Sequence, residues 1–226
     1  MADPDLARAR ERMIEVHIAR RGITDPAVLA AMREVPREAF VDPGDAEFAY
    51  DDRPLAIGMG QTISQPYIVA LMIASAGIEP GGKVLEVGTG SGYAAAVMSR
   101  IAGRVYTIER YGALADGART RLATLGYDNI EVKTGDGSKG WPEAAPFDAI
   151  VVAAGGPDIP FSLREQLDIG GRLVIPVGEA HDQRLIRITR LDATTFEEKD
   201  LGGVRFVPLI GAEGWAETAD GGGPAA

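Results

Sequence analysis

The chain has 226 residues, enough for one α/β domain with a substantial core and too few for two large independent ones. Its 23 Lys and Arg against 33 Asp and Glu give a formal charge of −10, which argues against general nucleic-acid or anionic-membrane binding. There is no cysteine, which excludes disulfides and thiolate chemistry, and the two histidines, His17 and His181, belong to no ligand-spaced motif, so no metal is expected.

The N-terminus has neither the basic start nor the apolar core of a signal peptide, and the longest apolar stretch, Ile68 to Ile78, is too short to span a bilayer. A soluble, cytoplasmic protein is expected. Residues 5 to 20 place Leu6, Met13, Ile14 and Ile18 at helical spacing and end at Gly22, a C-cap. A second helix begins at Asp25-Pro26, an N-cap acid followed by proline at the first helical position, and stops before Pro36. Together these helices read as a cap on a larger body. From Val41 to Gly60 no period is sustained, so an ordered loop is expected, followed by Gln61-Thr62-Ile63-Ser64-Gln65-Pro66 and an apolar helix from about Tyr67 to Ala76. Ser64, just before that helix, reads first as an N-cap hydroxyl, although such a position also suits a substrate carboxylate.

From Gly81 onward short apolar strands alternate with helices. Strands are expected at Lys83 to Val87, Arg104 to Ile108, Ile130 to Lys133, Phe147 to Ala153 and Arg172 to Val177, which makes a parallel sheet covered on both faces, with ligands at the carboxyl ends of its strands. After Gly178 the runs Arg184 to Leu191, Phe196 to Leu201 and Val204 to Leu209 follow without helices, an antiparallel addition at one edge. The Gly-rich stretch from Gly211 to Ala226 reads as a flexible tail.

The most informative segment is Val84-Leu85-Glu86-Val87-Gly88-Thr89-Gly90-Ser91-Gly92, a strand running into a glycine turn that opens a helix. Such a turn offers backbone N–H groups to an anionic ligand. The third glycine comes one residue too early for the dinucleotide fingerprint, and no Gly-Lys-Ser/Thr follows to make a P-loop. An S-adenosylmethionine (SAM) loop remains, against the competing reading of a turn that only lets strand and helix pack closely. The next strand ends at Glu109, suited to a ribose diol, and the third ends in Gly135-Asp136-Gly137, where Asp136 suits an adenine amino group unless it merely forms an Asx turn.

These residues resemble one family, the protein-L-isoaspartate O-methyltransferases. The matching text is Val35-Pro36-Arg37-Glu38-Ala39-Phe40-Val41, Gly60 to Pro66, Leu85 to Tyr93, Gly135-Asp136-Gly137-Ser138, Phe147-Asp148-Ala149-Ile150 and Val204 to Leu209, in order from about residue 5 to 210. The resemblance implies an α/β, Rossmann-like SAM-dependent methyltransferase fold: a mostly parallel doubly wound sheet with an antiparallel C-terminal edge and an N-terminal helical cap. Residues 1–80 then form the cap and substrate segment, 81–210 the SAM-binding part and 211–226 the tail of one compact unit. It implies cofactor binding at Glu86, Gly88, Thr89, Gly90, Ser91, Gly92, Glu109, Arg110, Asp136 and Gly137. It further implies a substrate site at Gln61, Thr62, Ile63 and Ser64, closed by Val204, Arg205, Phe206, Val207 and Pro208, with Ser64 as the catalytic position. One departure is Met59, where bacterial members of the family commonly have histidine.

The implied reaction is methyl transfer from SAM to the free α-carboxylate of an isoaspartyl residue in a damaged protein or peptide. The ester then collapses to a succinimide, and S-adenosyl-L-homocysteine is the other product. An α-carboxyl with a reference pKa of about 3.5 is already anionic at neutral pH, so no general base is needed. A monomer acting on protein chains is expected. The alternatives are methylation of a normal Asp in a dedicated peptide and a SAM-binding module without turnover.

Overall fold

The structure, a computed structural model, describes residues 4–217; the rest of the expected tail, 218–226, lies outside the described residues. Helix α1 (Pro4–Arg12) continues through a wider π-helical turn, Met13–Ile18, and a 3-10 turn, Ala19–Arg21, to Gly22, whose φ of 95° ends it as expected. Helix α2 (Pro26–Glu34) is capped by the Asp25 carboxylate, which accepts from the N–H groups of Ala27 at 2.9 Å and Val28 at 3.2 Å. These helices bury Met13, Ile14, Ile18, Val28 and Met32 against the body of the protein.

A small hairpin begins within the stretch expected to be loop and runs past its end: β1 (Leu55–Gly58) and β2 (Gln61–Ile63), paired Leu55 to Ile63. Its strands of four and three residues are too short for an alternating pattern to register, and its turn puts Gly58, Met59 and Gly60 at φ of 92°, 53° and 68°. Helix α3 (Pro66–Ala76) follows, then β3 (Lys83–Val87), α4 (Tyr93–Ser99), β4 (Arg104–Glu109), α5 (Gly112–Thr124), β5 (Ile130–Thr134), β6 (Phe147–Val152), α6 (Phe161–Glu165), β7 (Leu167–Glu179), β8 (Asp182–Arg190) and β9 (Phe196–Val204).

The central sheet has the order β5-β4-β3-β6-β7-β8-β9, parallel from β5 through β7 and antiparallel from there to β9. Its strands alternate between two cores. Val84, Ala149 and Val151 face the core that receives the N-terminal helices, α3 and α4, whereas Leu85, Val87, Ile150 and Val152 face the core lined by Leu163 and Leu167. The chain lays β4 and β5 on one side of β3 and then returns to place β6 on the other, so the strand order reverses between β3 and β6. In open α/β sheets that reversal leaves a crevice beyond the carboxyl ends of the two strands.

The expected strand from Val204 to Leu209 is not one. Only Val204 belongs to β9; beyond it the Gln183 side chain takes both backbone groups of Phe206, accepting its N–H at 2.8 Å and donating to its carbonyl at 3.2 Å. Pro208 has no N–H to give a ladder, and the segment instead crosses the end of β6, where Gly155 N–H donates to Val207 O and Leu209 N–H to Gly155 O, each at 2.8 Å. The described part of the expected tail is folded as well. Ala212 N–H donates to Asp136, Trp215 Nε1 to Gly155 O at 3.1 Å, and Arg110 pairs with Glu217 at 2.5 Å.

Candidate active site

The crevice between β3 and β6 is where the sequence-predicted residues converge. Gly88 opens the turn at φ +94°, and a Cβ there would sit 3.4 Å from the Cβ of Ala153 at the end of β6, so the glycine permits the close approach of the two strand ends. The expectation that the turn exposes its N–H groups holds only in part: among the described residues the Ser91 N–H has no protein acceptor, but its neighbours do. Gly88 and Thr89 donate to Ile108 O at 2.8 and 3.3 Å, Gly90 to Glu109 Oε2 at 2.9 Å, and Gly92 to Thr89 O at 2.8 Å. The parallel neighbour β4 supplies acceptors where the sequence reading assumed a ligand, and α4, with seven residues, adds only a short dipole. The turn shapes the cavity more than it donates into it.

Two buried acids lie behind this turn. Glu86 is 1 % exposed and accepts from the Thr107 hydroxyl at 2.5 Å, which in turn shares a bond with Thr89 at 2.6 Å. Burial pushes the Glu86 carboxyl up to about 8; the Thr107 bond opposes that rise and the charge of Glu109 adds to it. Glu109 bridges the loop and the start of α5, accepting from Gly90 N–H and, at 3.0 Å, from Tyr111 N–H. Each of its oxygens retains a lone pair for a further donor.

Asp136 stands apart. Its Oδ1 accepts from the Ser138 N–H at 3.0 Å and hydroxyl at 2.6 Å, and its Oδ2 from Ala212 N–H at 2.8 Å. Burial pushes this carboxyl up, but those bonds outweigh it and hold it below the ordinary range. Both oxygens are thus engaged with the Ser138 turn and the C-terminal segment, and Asp136 does not line the cavity, whereas its neighbour Gly137 does.

Two cavities meet here. The narrow one is bounded by Glu86, the residues from Gly88 to Ser91, Glu109, Arg110 and Gly137, and on its far side by Gln61, Thr62, Ile63 and Ser64. The wide one, of about 970 Å³, is bounded by Val204, Arg205 and Phe206 with Gln65, His181 and Gln183. Thr62, Ser64, Ala153, Val207 and Pro208 line both. Of the predicted residues only Gly92 and Asp136 border neither; Gly92 is the N-cap of α4, turned toward Leu122 and Ala118 of α5. Ser64 is not the cap of α3. That position is Gln65, which makes no side-chain capping bond, and the Ser64 hydroxyl bonds to no protein group among the described residues.

Residues that the sequence reading missed include Ala154, Tyr111 and Ile210 in the narrow cavity. The only signal for them was the strand-end rule, which needs the order of strands before it can be applied. Met59 lies at the hairpin tip, 56 % exposed, and borders neither cavity. Among the described residues no group of three or more His, Asp or Glu is placed to hold a metal, and no helix is long and apolar enough to cross a membrane.

The chain matches the family model described as protein-L-isoaspartate(D-aspartate) O-methyltransferase over residues 8–214. It is 60 % identical over 214 residues to protein-L-isoaspartate O-methyltransferase 1 of Rhodopseudomonas palustris (strain HaA2), covering 94 % of this chain and 87 % of that one. It is 59 % identical over 211 residues to the protein-L-isoaspartate O-methyltransferase of Brucella anthropi, covering 93 % and 97 %. Among solved structures, a protein-L-isoaspartate O-methyltransferase superposes with a TM-score of 0.82 at 29 % identity, over 91 % of this chain and 67 % of that one. A putative member from Plasmodium falciparum, in complex with S-adenosyl-L-homocysteine, superposes with a TM-score of 0.76 at 28 % identity, over 89 % and 98 %.

Proposed function

The chain belongs to the protein-L-isoaspartate (D-aspartate) O-methyltransferase family, and on that premise we propose how its two cavities divide the reaction. The enzyme uses SAM to methylate L-isoaspartyl residues in proteins, the first step of their repair. We assign the narrow cavity to SAM and the wide one to the isoaspartyl peptide. The observation that carries this assignment is the shared lining, which puts Ser64 and Thr62 within reach of both.

The residues of the narrow cavity fit SAM, a net cation whose adenine ring has apolar faces and whose ribose carries a diol. Glu86 and Glu109 supply acidic groups, Val69, Ile108, Leu209 and Ile210 supply apolar walls, and the cationic lining residue, Arg110, is already paired with Glu217. When bound, SAM supplies a methyl group on a positively charged sulfur that leaves without protonation. The cofactor role of Gly88, Gly90, Glu109, Arg110 and Gly137 is to shape and hold that end of the crevice. Asp136 acts there indirectly, by fixing the Ser138 turn and the segment around Ala212.

The acceptor carboxylate arrives already ionised, so this chain has to orient it and exclude water rather than remove a proton. Ser64, whose hydroxyl has no protein partner among the described residues, donates to that carboxylate, and Thr62 flanks it. Gln61 and Ile63 hold the segment in place. Val207 and Pro208 form the opposite wall, while Val204, Arg205 and Phe206 receive the peptide around the reacting residue. The net charge of −10 supports a protein that works as a monomer on protein chains, without nucleic-acid or anionic-membrane partners, and we place it in the cytoplasm.

The test is methyl transfer to paired peptides that differ only in an isoaspartyl or aspartyl linkage, with incorporation expected in the first alone. Ser64→Ala lowers kcat roughly ten- to a hundredfold, the worth of one hydrogen bond to a charged group, and leaves SAM affinity unchanged. Equal loss of both would reverse the assignment of the two cavities.

A further inference from the structure

Arg37 is the largest fully buried side chain among the described residues, at 0 % exposure, yet it lines neither cavity. Its Nε donates to Ala49 O at 2.7 Å and its Nη2 to Ser64 O at 2.9 Å, and its guanidinium lies 4.9 Å from the centre of the Tyr93 ring. Its Nη1 has no hydrogen-bond partner, and burial lowers its pKa. No carboxylate is hydrogen-bonded to it, and the nearby charge of Asp52 only partly offsets the effect of burial. A buried cation held this incompletely is a poor way to stabilise a core, where an apolar side chain of similar volume commonly does as well or better. What an apolar residue cannot do is hold the carbonyl of Ser64.

The next residue is held from another direction. Gln65 Nε2 donates to Asp52 Oδ2 at 2.7 Å, and Arg21 donates to the same oxygen at 2.8 Å. The peptide unit after Ser64 is thereby tied on one side to the 3-10 turn Arg37–Phe40 and on the other to the loop before β1, immediately ahead of the first turn of α3. These two ties restrain the backbone that carries the Ser64 side chain.

We propose that Arg37 and Asp52 are positioning residues of the methyl transfer: from outside both cavities they clamp the Ser64–Gln65 turn, so that the Ser64 hydroxyl faces the junction where donor and acceptor meet. The inference deepens the role given to Ser64 above and rests on it in part. It separates Arg37 from the cofactor site, although Tyr93, which borders the narrow cavity, packs against its guanidinium.

The experiment compares Arg37→Met, Asp52→Ala and Ser64→Ala in the full chain. Measurements are kcat and KM for an isoaspartyl peptide, SAM affinity by calorimetry, and the folded fraction by circular dichroism. Arg37→Met is expected to remain folded, to lose at least tenfold in kcat and to change SAM affinity by less than threefold; Asp52→Ala gives the same pattern more weakly. In the Ser64→Ala background, Arg37→Met lowers kcat by no more than twofold, because the hydroxyl it would orient is gone. Losses that multiply in the double variant, or a kcat that only tracks the folded fraction, overturn the proposal. Should Arg37→Met fail to fold, Asp52→Ala decides alone, and an unchanged kcat there overturns it. A silent Ser64→Ala removes the hydroxyl's role and the proposal with it, whereas a Ser64→Ala that loses turnover beside an unchanged kcat in Arg37→Met overturns the proposal alone.

Discussion

Glu86 shows how far a single residue can be read before its surroundings are known. The sequence places an acid inside an apolar strand, and the structure buries it, bonds it to Thr107 and raises its carboxyl to about 8 against an ordinary 4.5. The folded protein therefore binds a proton between those values that the unfolded chain gives up. The stability this contributes is complete below about 4.5 and is lost as the pH rises through about 8. Glu86→Gln, neutral throughout, is expected to flatten that fall, as denaturant midpoints at pH 5 and pH 8 will show. The same carboxyl borders the cavity assigned to a cationic cofactor, so SAM binding near pH 7 is expected to release up to about one proton in the natural protein and none in Glu86→Gln. Calorimetry in two buffers of different ionisation enthalpy measures it. Glu109 was legible as a strand-end acid because its position follows from the strand pattern. The ties of Asp136 were not, since Ala212 is 76 residues away in sequence and nothing local announces that contact.

At the scale of elements, the parallel strands and their helices could be read because long apolar runs and glycine stops are local signals. The hairpin at 55–63 could not, since its strands are short and its stability comes from what it packs on; Ile57, for example, lies close against the glycine turn at Gly90. Its tip also carries a local cost. Met59 holds a φ of 53°, a region that non-glycine residues other than Asn and Asp seldom occupy. Met59→Asn is expected to raise stability by about 0.5–1 kcal/mol, measured by urea denaturation, with KM for the isoaspartyl peptide unchanged because residue 59 borders neither cavity. A rise in KM would show that the hairpin tip reaches the peptide. The segment after β9 misled for a comparable reason. Val204 to Leu209 has the composition of a strand, but Gln183, a side chain from β8, satisfies the backbone of Phe206 and turns the segment toward the end of β6.

For the molecule as a whole, the decisive fact is an order of strands that no stretch of sequence states. Because β6 lies beside β3, Ala153 stands against Gly88, and the stretch from Gln61 to Ser64 meets the stretch from Val207 to Pro208 across one crevice. The resemblance to a family supplied that arrangement in advance; periodicity alone supplied the pieces without their neighbours.

The lining common to both cavities has a kinetic corollary. With SAM in the narrow cavity and the peptide in the wide one, as proposed above, each enters by its own door and the two meet where the cavities join, so neither has to depart before the other can. Turnover should then obey a ternary-complex scheme without a compulsory sequence of arrivals. S-adenosyl-L-homocysteine should compete with the methyl donor while leaving peptide occupancy untouched, so initial-rate patterns should show competitive inhibition against the first substrate and mixed or noncompetitive inhibition against the second. Competition against both would mean that the two doors open onto a single room.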